Sequence, residues 1–325
     1  MILVIGGAGY IGSHLVRELV ETEQVVILDN LSTGHEKLLI KDAIFVKGDL
    51  GDSKVLGDIF NTYPIKAVMH FAANSLVGES IKDPYKYYQN NVASALTFLH
   101  TMLKHDVKNV IFSSTAATYG IPNVDIIDEA CSNQPINPYG RSKLMIEQIL
   151  EDFSIAYGLN YIVLRYFNAA GAHISGEIGE DHIPETHLIP LILEHLLGLR
   201  DSISIFGSDY DSKDGTCIRD YVHVTDLARA HILALNALMR GKKKNTVYNL
   251  GSGKGYSVNE IIDLCESVSG LKATRIYADR RPGDPAKLVA SYKKVKSELG
   301  WDPKFTLEEI IRSAWKWHRK NGGNK

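Results

Sequence analysis

A tyrosine and a lysine four residues apart, Tyr139 and Lys143 in Pro138-Tyr139-Gly140-Arg141-Ser142-Lys143, carry the chemistry of a proton-transfer pair. On a helix the i, i+4 spacing places both side chains on one face. A free phenol titrates near pH ~10 and is a poor base at neutral pH, so a fixed ammonium beside it lowers the cost of the phenolate. Such a pair recurs by chance in many helices, and its meaning depends on the elements that bring other groups to it.

The chain opens on an apolar run, Ile2-Leu3-Val4-Ile5, followed by Gly6-Gly7-Ala8-Gly9-Tyr10-Ile11-Gly12 and then by Ile11, Leu15, Val16, Leu19 and Val20 at helical spacing. The pattern predicts a buried parallel strand that hands over to a helix through a glycine turn. Gly6, Gly9 and Gly12 permit positive φ and close backbone approach, and a pyrophosphate would rest on the helix N-terminus. A second apolar run, Val25-Val26-Ile27-Leu28, ends at Asp29, seventeen residues past Gly12. A carboxylate there accepts hydrogen bonds from an adenosine ribose and repels a 2′-phosphate, which favours NAD.

Strand-like runs recur at Ala43 to Val46, Ala67 to His70, Asn109 to Ser113, Tyr161 to Arg165 and Val247 to Leu250, mostly with helical stretches between them. The expected fold class is α/β, a Rossmann-like doubly wound parallel sheet whose ligands collect at the strand C-terminal ends. Those ends carry Gly48-Asp49-Leu50, His70-Phe71-Ala72-Ala73 and Ser113-Ser114-Thr115. Asp49 suits either an adenine contact or a helix N-cap, with Asp52 a rival for the cap. Ala72 and Ala73 are small where a nicotinamide ribose needs space, or simply allow close packing. Thr115 by itself reads as a strand-end hydroxyl bonded to backbone.

Composition limits the remaining classes. A chain of 325 residues with 45% hydrophobic content can bury a real core. A formal net charge of -2, with Lys242-Lys243-Lys244 standing isolated, gives no nucleic-acid footprint. Cys131, Cys217 and Cys265 show no disulfide or metal spacing and suit a reducing, cytoplasmic compartment. Neither a signal peptide nor a membrane span is expected.

Taken together, these motifs resemble the extended short-chain dehydrogenase/reductase superfamily and, within it, the nucleotide-sugar 4-epimerases. The resemblance runs nearly end to end and rests on Gly6 to His14, Val77-Gly78-Glu79-Ser80, Phe112 to Ala116, Tyr139 to Lys143, Tyr166 to Ala172, and Asp214 to His223. It implies hydride removal from sugar C4 to NAD, rotation of a 4-keto sugar, and hydride return to the other face. Tyr139 would be the base and later the acid, Lys143 would hold the cofactor ribose and depress the Tyr139 pKa, and Thr115 would bond the 4-oxygen. Thr115 stands where many members have serine, and keeps the hydroxyl.

For NAD, the resemblance implies Tyr10 and Ile11 at the pyrophosphate, Asp29 and Asn30 at the ribose, Asp49 and Leu50 at adenine, and Phe71, Ala72, Ala73, Asn90 and Phe167 completing the pocket. Ser75 replaces a lysine carried by some members. For the UDP-sugar it implies Arg219 and Arg281 at the phosphates, with Asn168, His187, Leu188, Phe206, Tyr221 and Asp284 around nucleotide and sugar. Salt bridges to Asp220 and Asp284 are the alternative role for the arginines. His187 replaces an amide found in some members, and a metal role for His182 and His187 is not expected because no second ligand pair is evident from the spacing. Aligned through Arg281-Pro282-Gly283-Asp284, Leu288 falls where some members carry a bulky tyrosine, which suggests room for a 2-acetamido group and hence additional turnover of UDP-N-acetylglucosamine and its galacto epimer.

A nucleotide-sugar 4,6-dehydratase would share tyrosine, lysine and cofactor, but Thr115-Ala116-Ala117 lacks the acidic pair of a Thr-Asp-Glu pattern. A non-catalytic NAD-sensing regulator is the alternative of a different class. The expected organisation is discontinuous: residues 1–168 and 222–251 bind NAD, while 169–221 and 252–325 bind the UDP-sugar. The C-terminal Asn321 to Lys325 is expected to fray. The helical stretches Ala93 to Leu103 and Lys143 to Ile155 would pair with their copies in a homodimer, as the resemblance implies, or pack on their own sheet.

Overall fold

In the computed structural model, which describes residues 1–281 and 284–321, the apolar runs become the strands of one parallel sheet. Pro282, Gly283 and the expected frayed terminus beyond Asn321 lie outside the described residues. In chain order the first half forms β1 (Ile2–Ile5), α1 (Tyr10–Leu19), β2 (Val25–Asp29), β3 (Ile44–Lys47), α2 (Ser53–Thr62), β4 (Ala67–His70), α3 (Val77–Lys82), α4 (Pro84–Tyr87), α5 (Ser94–Lys104), β5 (Asn109–Thr115), α6 (Pro138–Tyr157) and β6 (Asn160–Tyr166). The second half forms β7 (Asn168–Ala170), α7 (Leu188–Leu196), β8 (Ile203–Phe206), β9 (Ile218–His223), α8 (Val224–Met239), β10 (Thr246–Leu250), β11 (Gly255–Ser257), α9 (Val258–Ser269), β12 (Arg275–Ala278), β13 (Lys287–Leu288), α10 (Lys293–Leu299) and α11 (Leu307–Asn321).

The seven-stranded sheet runs β10-β6-β5-β4-β1-β2-β3 with every neighbouring pair parallel. All residues of β1, β2 and β4 are buried, as continuous apolar runs covered on both faces must be. Leu15, Val16 and Leu19 of α1 pack with α8 on one face of the sheet, while Phe98, Leu99 and Met102 of α5 and Ile146 and Leu150 of α6 cover the other. Strand order reverses direction between β1 and β4, so the crevice beyond their C-terminal ends is where a doubly wound sheet takes its ligand.

Short strands build a second layer. Strands β11, β9 and β13 pair in that order, and β7, only one residue beyond β6, pairs with β9. A third pair joins β8 and β12. Ile189, Ile192, Leu193, Ile261, Ile262, Ile310 and Ile311 form the apolar cluster where α7, α9 and α11 meet. Helix boundaries follow local chemistry: Ser257 and Glu260 form a reciprocal capping box on α9, and Gly270, at φ 75°, ends it. Among the described residues no helix is long and apolar enough to cross a membrane.

Candidate functional site

The turn after β1 is built for a close backbone approach. Gly6 has φ 83°, and a Cβ there would lie 2.6 Å from the Ala72 nitrogen, so only glycine lets the ends of β1 and β4 meet this tightly. At Gly12 a Cβ would come within 2.1 Å of the Gly6 carbonyl oxygen. No side chain caps α1 at Gly9, and its first backbone N–H groups form a cradle suited to a pyrophosphate. Asp29 reaches into the same turn, accepting from the backbone N–H of Ala8 at 2.9 Å and of Leu31 at 2.9 Å. A carboxylate offers about four acceptor positions, so ribose hydroxyls still find a partner. These features fit a dinucleotide.

Asp52 accepts from the N–H groups of Lys54 and Val55 and caps α2, which leaves Asp49 out of capping. Asp49 instead takes a hydrogen bond from Asn30 Nδ2 at 2.8 Å, so the Asn30 and Asp49 side chains close one end of the crevice together. At the other side the Phe71 ring lies tilted by 34° against that of His231, with ring centroids 4.7 Å apart. Asn90 lies in a π-helical turn, Tyr88–Ala93, and donates to Asn91 Oδ1 at 3.0 Å. Sequence reading missed Asn91, which accepts from Asn74 N and donates to Asn74 O and to Ser142 Oγ. It ties the segment after β4 to α6, and the extra residue in the helical turn is a frequent mark of functional positions. Substituting Gly12→Ala is expected to cost about 1–3 kcal/mol from overpacking and to leave the purified protein without dinucleotide. Chromatographic quantification of released nucleotide checks this, and unchanged NAD content would contradict it.

At the end of β5 Thr115 lies near enough to the buried Tyr139 side chain to favour its phenolate. The sequence builds this locally: Asn137 accepts the N–H of Gly140, Pro138 opens α6, and a Cβ at Gly140 would strike the Ala117 carbonyl at 2.5 Å. Thr115 Oγ1 also accepts from Ala117 N at 3.1 Å, so its own O–H stays available to donate. Burial pushes the Tyr139 phenol above its usual value, partly countered by Thr115. Lys143, only 4% exposed, donates to the Ser113 carbonyl at 2.8 Å and sits 4.9 Å from the centre of the Phe112 ring. Burial lowers its pKa to about 7, with the Glu147 carboxylate opposing the shift. The expected depression of the Tyr139 pKa by Lys143 is therefore not the dominant effect: desolvation of both groups is.

Glu147 lies one further helical turn on and accepts from Arg165 and Ser114. Arg165 also donates to the Tyr119 hydroxyl at 2.8 Å, which donates to Asn249 at 2.8 Å. This buried network fixes α6 against β5 and β6. Its signal in the sequence was an arginine inside an otherwise apolar strand, and Tyr139, Lys143 and Glu147 at successive i, i+4 positions.

The second group of expected residues gathers on and around β9. The β13–β9 register sets Leu288 opposite Arg219, and the β7–β9 register sets Asn168 opposite Tyr221. Arg219 pairs with Asp284 at 3.2 Å. Asp220 turns away from it and instead accepts from Ser252, Gly253 and Ala290. Arg281 stacks on Phe206, its guanidinium carbon 3.9 Å from the ring centre. Leu288 and Phe167 pack against the cluster of Ala116, Tyr119 and Ile127, next in chain to Thr115. His187 precedes Leu188, the first residue of α7, with its Nδ1 against the Glu180 carboxylate. The expectation that His182 and His187 have no second ligand pair is corrected here: the chain between β7 and α7 folds back so that Glu180 and Glu185 join them, and one ligand atom from each of the four lies within 4.8 Å of the rest.

Comparison with known proteins agrees with this arrangement. Residues 2–251 match the NAD dependent epimerase/dehydratase family. The chain is 53% identical over 322 residues to a UDP-glucose 4-epimerase of Halalkalibacterium halodurans, covering 98% of this chain and 96% of that one. It superimposes on a crystal structure of a UDP-glucose 4-epimerase with a TM-score of 0.97 at 52% identity, covering 100% of this chain and 99% of that one. The Bifidobacterium longum UDP-glucose 4-epimerase, crystallised with NAD+ and UDP, matches with a TM-score of 0.94 at 38% identity, again over 100% and 99% of the two chains. The chain belongs to the NAD dependent epimerase/dehydratase family and groups within it with the UDP-glucose 4-epimerases.

Proposed function

We propose that the protein interconverts UDP-galactose and UDP-glucose at sugar C4. Bound NAD supplies a hydride acceptor that becomes a donor in the second half of each turnover. The observation that carries the reading is the Thr115–Tyr139 pair at the end of β5, with Lys143 one helical turn away and fixed on the Ser113 carbonyl. Tyr139 takes the 4-hydroxyl proton as hydride leaves C4, the 4-keto sugar turns over, and Tyr139 returns the proton as hydride comes back to the opposite face. Thr115 donates to the 4-oxygen and steadies its charge. Lys143 supplies an ammonium that favours the phenolate once cofactor and substrate fill the site.

The crevice residues Gly6, Gly9, Tyr10, Ile11, Gly12, Asp29, Asn30, Asp49, Leu50, Phe71, Ala72, Ala73, Asn90 and Phe167 are the NAD contacts we assign, supported by the cradle at Gly6 and Gly12. Tyr10 contributes through its backbone, since its hydroxyl donates to the Gly171 carbonyl at 2.6 Å. Arg219 and Arg281 hold the diphosphate as guanidinium forks, with Asn168, His187, Leu188, Phe206, Tyr221, Asp284 and Leu288 around the rest of the UDP-sugar. We divide the chain into an NAD part, 1–168 and 222–251, and a UDP-sugar part, 169–221 and 252–325, on the support that β10 joins the large sheet while β11 joins β9. A homodimer is the assembly we favour: Leu96 on α5 and Met145 and Ile155 on α6 expose 39%, 41% and 81% of their surface. The cysteines Cys131, Cys217 and Cys265 are free, which supports a reducing, cytoplasmic setting.

Incubation of UDP-galactose deuterated at C4 tests the hydride route. The reading requires UDP-glucose that retains the label at C4; loss of the label to solvent would sink it. A broader specificity rests on Leu288, whose packing beside Ala116 leaves a leucine rather than a larger ring near Thr115. Turnover of UDP-N-acetylglucosamine is expected, and Leu288→Tyr is expected to reduce it at least about tenfold while sparing UDP-galactose, a specificity change of the size that one altered pocket contact supplies. Absence of any turnover of the acetylated sugar by the unaltered enzyme would refute this.

A further inference from the structure

The four side chains of Glu180, His182, Glu185 and His187 meet at the start of α7 in a way that the hydride chemistry does not use. His182 Nδ1 lies 3.4 Å from Glu180 Oε1 and 3.6 Å from Glu185 Oε2. His187 Nδ1 lies 3.8 Å from Glu185 Oε1 and bonds Glu180 Oε1 directly. A tetrahedral zinc with ligand bonds of about 2.0–2.1 Å has neighbouring ligand atoms about 3.3–3.4 Å apart. With Glu180 Oε1 and Glu185 Oε2 as the ligand oxygens, both edges to His182 are within a few tenths of an ångström of that spacing, and the His187–Glu180 hydrogen bond must lengthen.

We infer that Glu180, His182, Glu185 and His187 form a four-ligand site for a divalent transition-metal ion of the zinc class. Two imidazole nitrogens and two carboxylates suit zinc or cobalt(II), whereas magnesium and calcium prefer all-oxygen shells with six or more ligands. The ligands are held from behind. Glu185 Oε1 accepts the backbone N–H groups of Thr186 at 2.7 Å and His187 at 2.8 Å, which aims Oε2 at His182. The Glu180 backbone carbonyl accepts from Trp317 Nε1 at 3.0 Å, and the Glu180 side chain is 3% exposed. Such outer contacts orient metal ligands. The neighbouring Asp181 belongs elsewhere, bridged to Lys37 at 2.5 Å. The two His rings cross at 80° with centroids 5.2 Å apart, as two ligands on one centre can.

An ion here offsets two buried carboxylates beside the first turn of α1, since the His182 ring lies 6.1 Å from that of Tyr10. It also fixes the segment that enters α7. The test is a calorimetric titration of zinc chloride into the NAD-loaded, chelator-stripped protein, with a parallel cobalt(II) chloride titration read by visible absorption. One zinc per chain and the intense visible bands of tetrahedral cobalt(II) are expected. His182→Gln and Glu185→Gln should each weaken zinc binding at least about tenfold, the upper part of the range even for outer-shell losses being larger still. Gln at 185 keeps an oxygen for the two backbone N–H groups, and circular dichroism of both variants separates lost ligation from lost fold. Zinc binding equal in the folded variants and the unaltered protein, or no saturable binding, would overturn the site. Because the titration uses the ion alone, its failure leaves the epimerase reading standing, and failure of that reading leaves the site standing.

Discussion

Tyr139→Phe is expected to lower kcat about a thousandfold while leaving NAD content and the KM for UDP-galactose close to those of the unaltered protein. The phenol is the acid–base group of the account, and a positioned side chain in that role contributes about 10²–10⁴ in rate. Phenylalanine keeps the ring, which lies 6.5 Å from that of Tyr87, and removes only the oxygen whose charged form Thr115 favours. The loss should therefore appear in kcat and not in binding. Steady-state kinetics with quantification of bound nucleotide checks it. A variant within tenfold of the unaltered rate would move the proton elsewhere and revive a role for the fold without this chemistry.

The largest stability effect is expected at Glu147. Arg165 is 3% exposed, and its guanidinium donates to Glu147 and Tyr119 within the core. Glu147→Ala leaves that cation buried without its carboxylate, a change that costs about 3–5 kcal/mol in comparable pairs. Replacing both partners, Glu147→Met with Arg165→Met, removes the stranded charge and should recover most of the loss. Urea denaturation at constant protein concentration measures both. A Glu147→Ala penalty under about 1 kcal/mol, or a double variant no better than the single, would show that the network does not hold α6 to the sheet.

Much of the large sheet was legible because its signal is local. Runs such as Val25 to Leu28 are apolar throughout, and the strand they form is buried at every position, so composition and burial report the same fact. The glycine turn was legible for a similar reason: Gly6 and Gly12 stand where any Cβ strikes backbone. Asp52 rather than Asp49 caps α2, a choice between neighbours that only the path of the chain decides. Residues joined across long separations carried no local signal. Glu147 and Arg165 are on different elements, Asn91 meets Ser142 across 51 residues, and the two glutamates beside His182 and His187 arrive through a turn with no periodic pattern. The short strands β7, β9 and β13 align Asn168, Tyr221, Arg219 and Leu288 through register, which is set by pairing partners rather than by the residues themselves. The Arg219–Asp284 ion pair shows one more gap: sequence offered two acidic partners, and burial of Asp220 under backbone N–H groups of Ser252, Gly253 and Ala290 leaves Asp284 as the one in reach.

C4 epimerisation with retained cofactor is tested most directly by incubating the purified protein with UDP-galactose, without added NAD, and separating the nucleotide sugars by chromatography. Conversion toward an equilibrium mixture with UDP-glucose, with no net accumulation of reduced cofactor, is the predicted result. No conversion, even after NAD is supplied to replace any that was lost in purification, would contradict it.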